Sequence, residues 1–244
     1  MEAPGERLAK RIAHSGLCSR REAEKLIAQG AVRVDGKVVL SPAINVTSLH
    51  RITVKGKALE EDQPTRLWRY YKPTGLLTTH RDPEGRPTLF DQLPAHLPRV
   101  VSVGRLDLNS EGLILLTTDG GLARHLSLPA TGWVRRYRVR VHGRADKAAF
   151  ASLAKGITVD GVRYAPIQVE VERSGASNIW LRVALTEGKN REIRKVFEHL
   201  GMPVSRLIRV AYGPFELGDL EKGAACEVPR AQLKTHLGPH YQVR

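Results

Sequence analysis

Short segments in which apolar and charged residues alternate are the feature that most constrains the fold of this chain. In VRRYRVRVHG (134–143), Tyr137, Val139 and Val141 fall on one side of an extended backbone, and arginines fall on the other. The segment IWLRVALTEG (179–188) has the same alternation of apolar residues. Helix signals are interleaved with these segments without a regular strand–helix repeat. The pattern therefore predicts an α+β fold built on a mixed, mainly antiparallel sheet.

Segment 6–30 carries the signals of two short helices. Gly16 is the predicted end of the first helix. Ser19 and Glu22 have the spacing of a capping box, which predicts the start of the second helix, and Gly30 predicts its end. The two helices are therefore expected to lie close together in sequence, at the start of the fold.

Residues 190–201 carry the signals of another helix. Asn190 is the predicted N-cap, because its side chain can accept a hydrogen bond from a backbone N–H of the first turn. Gly201 is the predicted end. The apolar residues expected to face the core are Ile193, Val196, Phe197 and Leu200.

Turn and linker signals indicate how the chain is divided. Asp-Gly dipeptides at 35–36 and 160–161 are typical of tight hairpin turns. The polar stretch ALEEDQPTR (58–66) has the composition of a linker. A chain of 244 residues is longer than one average domain and shorter than two. We therefore expect a small domain at 1–62 and a larger one at 63–244.

The charge of the chain indicates a polyanionic partner. The formal net charge is +14 and the pI is about 10.2. Nucleic acid is the leading candidate, because each phosphate that Lys or Arg neutralises releases condensed counterions. An anionic membrane surface is the competing partner. However, no apolar run approaches the length of a membrane span and no leader pattern opens the chain, so we expect a cytoplasmic protein without membrane contact.

Cysteine and histidine usage gives no sign of a disulfide framework or a metal site. Cys18 and Cys226 are the two cysteines, and neither belongs to a CxxC pair or a zinc-ligand spacing. Both are expected to be inert apolar side chains. The sequence also has no phosphate-binding glycine loop of the P-loop type. We therefore expect neither a metal nor a cofactor.

The segment SRREAEKLIAQGAVRVDGKVV (19–39) resembles the S4 RNA-binding domain, and the resemblance covers roughly the first quarter of the chain. Arginines at the start of a helix oppose the helix dipole, so either an anion docks there or the side chains extend into water. The resemblance favours the first reading and implies RNA binding. The residues that it implies as phosphate contacts are Arg20, Arg21, Lys25 and Arg33.

The loop GRLDLNSEGLILLTTDGG (104–121) joins two short apolar runs and contains a carboxylate, Asp107. From the residues alone it is either a hairpin connection or a site. The sequence of this loop resembles the signature of the ribosomal-RNA pseudouridine synthases, and the resemblance is closest to the large-subunit type B group. YYKPTGLL (70–77) and LTEGKNREIRKVFEHLG (185–201) extend the resemblance to most of the chain. Thr118, Tyr71 and Arg136 depart from the commonest residues of the family, and none of the three is the aspartate.

This resemblance implies the residues of a site. Asp107 matches the essential catalytic aspartate, Tyr137 the active-site tyrosine, and Arg194 the basic residue paired with the aspartate. Without the resemblance, Tyr137 would be read as a core residue and Arg194 as an ordinary surface arginine. Leu207 matches a leucine that lines the uracil pocket, and Arg105 is a candidate substrate contact. Two further basic residues are expected to contact RNA, namely Lys189 and Arg191.

Two other carboxylates of the same region, Glu111 and Asp119, are alternative candidates. Glu111 could form a glycosidase-like pair with Asp107, but the family signature already contains this glutamate, and one carboxylate suffices for an isomerisation. Asp119 is expected to be the N-cap of the following helix rather than a catalytic group. Asp107 therefore remains the leading catalytic carboxylate.

Two functional hypotheses remain at this point. The first is an isomerase that converts a uridine of ribosomal RNA, in a structured stem-loop expected to belong to the large subunit, to pseudouridine, acting as a monomer. The second is a catalytically silent RNA-binding or ribosome-assembly protein on the same scaffold. The set Asp107, Tyr137, Arg194 and Leu207 favours the enzyme, because a silent scaffold has no reason to keep all four residues.

Overall fold

The computed structural model of the chain describes residues 5–60, 63–144, 146–175, 177–241 and 243. Its N-terminal part combines two helices with short strands. The elements are β1 Glu6–Arg7, α1 Leu8–His14, α2 Arg20–Ala28, β2 Val32–Val34, β3 Lys37–Val38, β4 Asn45–Val46, β5 Ile52–Val54 and β6 Lys57–Ala58. Four of the strands form an antiparallel sheet in the order β3-β2-β5-β6, and β1 pairs with β4.

Local sequence signals account for this N-terminal part. The Ser19 hydroxyl accepts from the Glu22 N–H at 3.2 Å and the Glu22 carboxylate accepts from the Ser19 N–H at 2.8 Å, which is the predicted capping box. Asp35 and Gly36 both have positive φ, as the tight turn between β2 and β3 requires. The helices pack on a separate small core that includes Leu8, Ile12, Ala23, Ile27, Val32 and Val54.

The C-terminal part is built on one large sheet, and β11 and β12 form a separate pair. The elements of this part are β7 Leu67–Lys72, β8 Val101–Ser102, β9 Glu111–Thr117, α3 Gly120–Ser127, β10 Arg135–His142, α4 Lys147–Leu153, β11 Ile157–Val159, β12 Val162–Tyr164, β13 Gln168–Ser174, β14 Asn178–Leu185, α5 Glu192–His199, β15 Val204–Tyr212, β16 Phe215–Glu216, β17 Ala225–Glu227 and α6 Arg230–Leu237. The strand order is β13-β14-β10-β15-β9-β7-β17, with β8 beside β9 and β16 beside β15. Strands β9 and β15 run parallel and the other neighbours run antiparallel, so the predicted α+β fold on a mixed, mainly antiparallel sheet is confirmed.

Two apolar cores lie against the two faces of this sheet. Strand β9 is buried along its whole length, because Ile114 and Leu116 enter one core while Leu113 and Leu115 enter the other. The first core includes side chains of α4 and α5, and the second includes side chains of α3 and α6. The apolar run that follows the Asp107 loop therefore belongs to an interior strand that is buried on both faces.

The alternation predicted for β10 is confirmed. Tyr137, Val139 and Val141 are buried, while Arg136 and Arg138 are exposed. The strand lies between β14 and β15, and its buried face belongs to the core that α4 and α5 cover. One face of β10 is thus apolar and the other is basic.

The predicted start of α5 is wrong by one residue. Asn190 is not the N-cap; the helix begins at Glu192 after Arg191, which adopts left-handed angles of φ 52° and ψ 29°. No side chain caps the first turn of α5, and the Glu192 carboxylate accepts from the Lys189 N–H, in the segment before the helix, at 2.9 Å. The helix ends at His199, and Gly201 follows with φ +71°, consistent with the predicted glycine stop.

Candidate active site

The segment between β8 and β9 is both a hairpin connection and the wall of a cavity. Strands β8 and β9 pair antiparallel, and residues 103–110 join them. At its end, Gly112 has φ +103°, and a Cβ there would lie 2.3 Å from the backbone oxygen of Arg209 on β15. Glycine is therefore required for β9 to approach β15 so closely. This approach places the loop that carries Asp107 next to β15.

Lys72, at the end of β7, supports this loop from below. Its side chain is fully buried, and its ammonium group donates to the backbone oxygens of Pro73 at 3.0 Å, Asp107 at 3.2 Å and Ser110 at 2.9 Å. Burial lowers the pKa of Lys72 from 10.5 to about 8, although the charges of Asp107 and Glu111 oppose the shift. Sequence reasoning missed this residue. The available signal was a lysine at the last position of a strand pattern rich in aromatic residues, LWRYYK (67–72).

Arg194 supports the same loop from α5. One of its terminal nitrogens donates to the backbone oxygen of Asn109 at 2.8 Å and lies 3.4 Å from the Ser110 hydroxyl. The other donates to the backbone oxygen of Val204 at 3.2 Å, which ties the loop to β15. The planar guanidinium thus bridges three segments of the chain.

The expected direct ion pair between Arg194 and Asp107 is not formed. Within the described part of the chain, no contact of 4.0 Å or less joins their charged atoms, because the guanidinium is turned toward backbone oxygens. Burial lowers the pKa of Arg194, and Arg191 lowers it further, while the charge of Asp107 acts in the opposite direction. Arg194 therefore acts on the carboxylate through the electric field and through the position of the loop.

A cavity of about 440 Å³ lies above this loop. It brings together six of the residues that the sequence proposed for the site. They are Arg105, Asp107, Tyr137, Lys189, Arg191 and Leu207. Tyr137 and Leu207 are almost fully buried, with 8% and 6% of their surfaces exposed, and they form an apolar part of the wall. Arg105, Lys189 and Arg191 are exposed and add positive charge to it.

Two buried arginines in the same wall were not foreseen from the sequence. Arg209 donates to the backbone oxygen of Leu113 at 2.7 Å. Arg135 donates to the Tyr212 hydroxyl at 2.8 Å and to the backbone oxygen of Thr186. Each guanidinium also lies near the Tyr212 ring, at 5.3 Å for Arg209 and 4.8 Å for Arg135. The hydrogen bonds of Arg209 to Leu113 and of Arg135 to Tyr212 and Thr186 join distant segments, so no local pattern indicated them.

A pair of carboxyl groups holds the loop between β14 and α5. Glu187 accepts from the Ala165 N–H and from the Lys189 ammonium group, each at 2.6 Å. Glu192 is buried beside Glu187, and burial together with the neighbouring carboxylate raises the pKa of Glu192 to about 8. One group of the pair is therefore neutral at pH 7. The pair shapes the cavity wall without adding two negative charges to it.

Asp107 differs from these two glutamates. Within the residues that the structure describes, its carboxylate accepts no hydrogen bond and forms no ion pair. Its side chain is half-buried in the wall of the cavity. Asp107 therefore presents a carboxylate whose oxygens are available to a bound molecule.

Glu111 is engaged elsewhere. Its carboxylate is buried and pairs with Arg206 at 2.6 Å and Lys222 at 2.9 Å, and the Tyr71 hydroxyl donates to it at 3.2 Å. Hydrogen bonds and charges from these two cations keep the pKa of Glu111 below its ordinary value in spite of burial. Since Glu111 does not line the cavity, a glycosidase-like pair with Asp107 is not formed. Asp119 caps α3 as expected, accepting from the Gly121 N–H at 2.7 Å.

The four basic residues assigned to the N-terminal part lie outside this cavity. Arg20, Arg21 and Lys25 are exposed on α2, and Arg33 is exposed on β2, where it donates to the backbone oxygen of Gly36 at 3.0 Å. Arg20 has a weak surface contact of 3.6 Å with Glu24. These residues form a basic surface on the N-terminal part.

No helix among the described residues is long and apolar enough to cross a membrane. The same residues contain no cluster of three His, Cys, Asp or Glu side chains that could hold a metal ion. Cys18 and Cys226 are not joined to each other or to another cysteine.

An accessible carboxylate thus lies in a cation-rimmed cavity, and a small basic module precedes it, an arrangement suited to a polyanion such as nucleic acid. Comparison with known proteins identifies the family. The family model for RNA pseudouridylate synthase matches residues 66–199, and the model for the S4 domain matches residues 6–52. The chain therefore belongs to the RNA pseudouridylate synthase family and carries an N-terminal S4 RNA-binding domain.

Individual relatives agree with this assignment. An uncharacterized RNA pseudouridine synthase of Rickettsia felis is 50% identical over 223 residues, covering 91% of this chain and 96% of the relative. Ribosomal large subunit pseudouridine synthase B of Yersinia pestis is 45% identical over 219 residues, covering 87% of this chain and 69% of the relative. A crystal structure of a pseudouridylate synthase aligns with a TM-score of 0.67 at 25% identity, covering 93% of this chain and 98% of that chain.

Proposed function

We propose that this enzyme converts one specific uridine of large-subunit ribosomal RNA to pseudouridine, with Asp107 as the catalytic carboxylate. The observation that supports this assignment most strongly is how the three acidic side chains at the cavity differ in their hydrogen-bond partners and pKa. Glu187 is held by Lys189 and Ala165, and the pKa of Glu192 is raised to about 8. Asp107 alone among these three has both oxygens without a partner from the described chain.

The reaction requires little beyond one ionised carboxylate and a fixed geometry. The N1–C1′ bond of the uridine breaks, the uracil turns, and a C5–C1′ bond forms. The proton on C5 leaves to solvent and N1 gains one, so the product is an isomer of the substrate. An aspartate can assist by attack on C1′, by addition to C6 of the base, or by removal of the 2′ proton. In each case the carboxylate of Asp107 must lie against the ribose or the base.

The groups around Asp107 fit this task. Lys72 and Arg194 hold the backbone of its loop, and their charges interact favourably with its carboxylate. Both cations are fixed before substrate arrives, so little reorganisation is needed during the reaction. Tyr137 and Leu207 offer apolar surface to the faces of a uracil ring. We assign them to base binding.

A uridine must leave its stack before its ribose can reach Asp107. Flipping a base out of paired RNA costs about a few kcal/mol, which contacts to the displaced backbone must offset. We assign this role to the cations of the cavity rim, Arg105, Lys189 and Arg191. The relative named as a large-subunit enzyme supports ribosomal RNA of that subunit as the source of the stem-loop.

The N-terminal residues are proposed to hold the substrate RNA outside the cavity. We place this module at 1–62 and the catalytic domain at 63–244. Arg20, Arg21, Lys25 and Arg33 are its proposed phosphate contacts, and their exposure supports that role. The proposal also holds that the enzyme acts as a monomer in the cytoplasm, where ribosomal RNA is made and modified in bacteria, with neither a metal nor a cofactor.

Pseudouridine mapping tests the proposal. Ribosomal RNA from cells that lack this protein is compared with RNA from parent cells and from cells complemented with the wild-type gene. Loss of one large-subunit pseudouridine, restored by wild type and not by Asp107→Asn, is the expected result. An unchanged set of pseudouridines in both subunits would support the alternative, a catalytically silent RNA-binding protein.

A further inference from the structure

The sheet has a second strongly charged surface on the face opposite the cavity. Side chains of β15 alternate between the two faces of the sheet. Leu207 and Arg209 line the cavity on one face, whereas Arg206, Ile208 and Val210 line a groove of about 700 Å³ on the other. Among the described residues, no helix covers the part of this face formed by β10 and β14, and its side chains are largely exposed. We call it the arginine face; its members are Arg136, Arg138, Arg140, Arg182 and Arg206.

The register of the strands places these arginines directly opposite one another. Arg138 on β10 is paired across the strands with Arg182 on β14. Arg140, two residues further along β10, is paired with Arg206 on β15. Like charges directly opposite each other in a sheet are destabilising. Four arginines in two adjacent like-charge pairs are therefore an arrangement that folding alone does not favour.

The carboxylates nearby neutralise only part of this charge. Glu172 contacts Arg138 at 2.9 Å and Arg182 at 3.8 Å, so one carboxylate serves two guanidinium groups. Glu111 serves Arg206 on the same side. Within the described residues, Arg136 and Arg140 have no carboxylate within 4.0 Å; Arg140 donates to the Ser205 hydroxyl. Glu170, which is paired across the strands with Arg182, and Glu216, which lines the groove, lie on the same face. The five arginines still outnumber these four carboxylates, so the arginine face keeps an excess of positive charge.

Trp180 orients part of this charge toward the surface. The guanidinium of Arg138 lies 4.9 Å from the centre of the Trp180 ring, and that of Arg206 lies 6.0 Å from it. A guanidinium that stacks on an aromatic ring has its position restricted while its N–H groups remain available at the edges. Both arginines are also about half exposed, with 46% and 40% of their side-chain surface accessible.

We propose that the arginine face is a second RNA-binding surface, which holds the phosphate backbone of a strand away from the cavity while the target uridine occupies the cavity. Charge complementarity selects the occupant, because fixed and only partly neutralised guanidinium groups match phosphate oxygens. This surface extends RNA contact beyond the S4 module and the cavity rim. It does not depend on which uridine is modified.

The test compares two triple variants of the full-length chain. Arg136→Gln/Arg140→Gln/Arg182→Gln removes three charges from the arginine face and leaves Arg138 and Arg206 with their carboxylate partners. The control, Arg124→Gln/Arg230→Gln/Lys234→Gln, removes three exposed charges from α3 and α6. Affinity for a long oligouridylate is measured over a range of salt concentrations, and thermal unfolding is followed for each variant.

The arginine-face variant should lose affinity at low salt, and its log–log salt slope should fall by roughly 2, since each single-strand phosphate contact contributes about 0.7. Its Tm should equal or exceed that of wild type, because both like-charge pairs lose one of their two charges. Equal losses in both variants, or no loss in the arginine-face variant, would overturn the proposal. If the arginine-face variant bound oligouridylate like wild type but lost binding to polyglutamate, the face would be assigned to an acidic protein, and the proposal would also be overturned.

A separate readout keeps this proposal distinct from the proposed function. Pseudouridine formation is measured in large-subunit ribosomal RNA with protein in saturating excess, where the arginine-face variant should match the wild-type rate. If wild type forms no pseudouridine, the proposed function fails while the comparison of oligouridylate binding still decides the role of the arginine face.

Discussion

The ammonium group of Lys72 lies 3.2 Å from the backbone oxygen of Asp107, so a buried cation holds the residue proposed to do the chemistry. The same group binds the backbone oxygen of Ser110 at 2.9 Å, and Arg194 binds that of Asn109 at 2.8 Å. The loop is therefore fixed from two sides by charged donors. Rigid support of this kind keeps a catalytic group in its productive position.

The rate of pseudouridine formation should fall as the pH rises above about 8. Burial lowers the pKa of Lys72 to about 8, so its proton is lost in this range and its contacts to the loop weaken. The folded chain binds this proton less tightly than the unfolded chain, so the contribution of Lys72 to stability improves between about pH 8 and 10.5. The loss of rate is therefore not a loss of fold.

Single-turnover rates and Tm values between neutral and alkaline pH check this expectation. Lys72→Met should be slow already at neutral pH, by roughly 100-fold, because a displaced catalytic group loses that order of rate. Glu192→Gln serves as the control, since it removes the other group that titrates near this pH. A rate that stays constant up to the pKa of an ordinary lysine would remove Lys72 from this role.

Glu192→Gln should raise stability, and the gain should grow as the pH rises from about 4.5 to about 8. The unfolded chain releases the Glu192 proton near pH 4.5, whereas the folded chain keeps it to about pH 8. Stability from this group therefore decreases across that window, and a neutral glutamine does not show the decrease. Glutamine can still accept from the Lys189 N–H and can donate to Glu187.

Thermal unfolding at several pH values measures this effect. Glu187→Gln is the matched control: it removes the ionised partner of Lys189, so its Tm should fall below that of wild type. A constant difference in Tm between Glu192→Gln and wild type at every pH would show that Glu192 does not keep its proton in the folded chain.

Arg194→Lys should slow turnover by one to two orders of magnitude, roughly the effect of a misplaced catalytic group, and leave RNA affinity nearly unchanged. Lysine keeps the positive charge but cannot bridge Asn109, Ser110 and Val204 with one planar group. Lys195→Gln, on the exposed side of the same helix, should have the wild-type rate. Wild-type turnover in Arg194→Lys would exclude the bridge as a determinant of catalysis.

Removal of residues 1–62 should weaken binding to structured ribosomal RNA while the remaining chain stays folded. The N-terminal part has its own apolar core. A contact that joins it to the C-terminal part is the ion pair of Glu22 with Arg99, at 3.6 Å. Because its proposed contacts are to phosphates, affinity should be lost more at low salt than at high salt. Arg20→Gln/Arg21→Gln in the full chain should give a smaller loss of the same kind. Unchanged affinity and salt slope in the truncated chain would show that this module does not hold the substrate.

Sequence reasoning succeeded where the signal was local. The capping box of Ser19 and Glu22, the Asp-Gly turn at 35–36, and the two faces of β10 each depend on residues a few positions apart. The local prediction of an N-cap at Asn190 failed: Arg191 adopts left-handed backbone angles, and the helix begins one residue later than the pattern indicated, at Glu192.

The parts of the site that could not be predicted depend on contacts between distant segments. Lys72 meets a loop 35 positions away, and Arg209 meets Leu113 at a separation of 96 residues. The contacts of Arg194 also join distant segments. The family resemblance predicted a pair with Asp107, but Arg194 donates to backbone oxygens rather than to the carboxylate. A family resemblance indicated which residues gather at the site, and the fold determines which atoms they contact.

Asp107→Asn is the variant that tests the central claim. Asparagine keeps the size of the side chain but lacks the negative charge and the nucleophilic oxygen. Because the carboxylate has no partner among the described residues, the variant should unfold at nearly the wild-type Tm. RNA affinity should hold or rise slightly, since a negative charge facing a polyanion is removed.

The direct measurement is single-turnover release of tritium from C5-labelled uridine in large-subunit ribosomal RNA, with a binding titration on the same RNA. We predict that Asp107→Asn releases no tritium above background while it binds the RNA at least as well as wild type does. Full release of tritium by Asp107→Asn would contradict the assignment of Asp107 as the catalytic carboxylate.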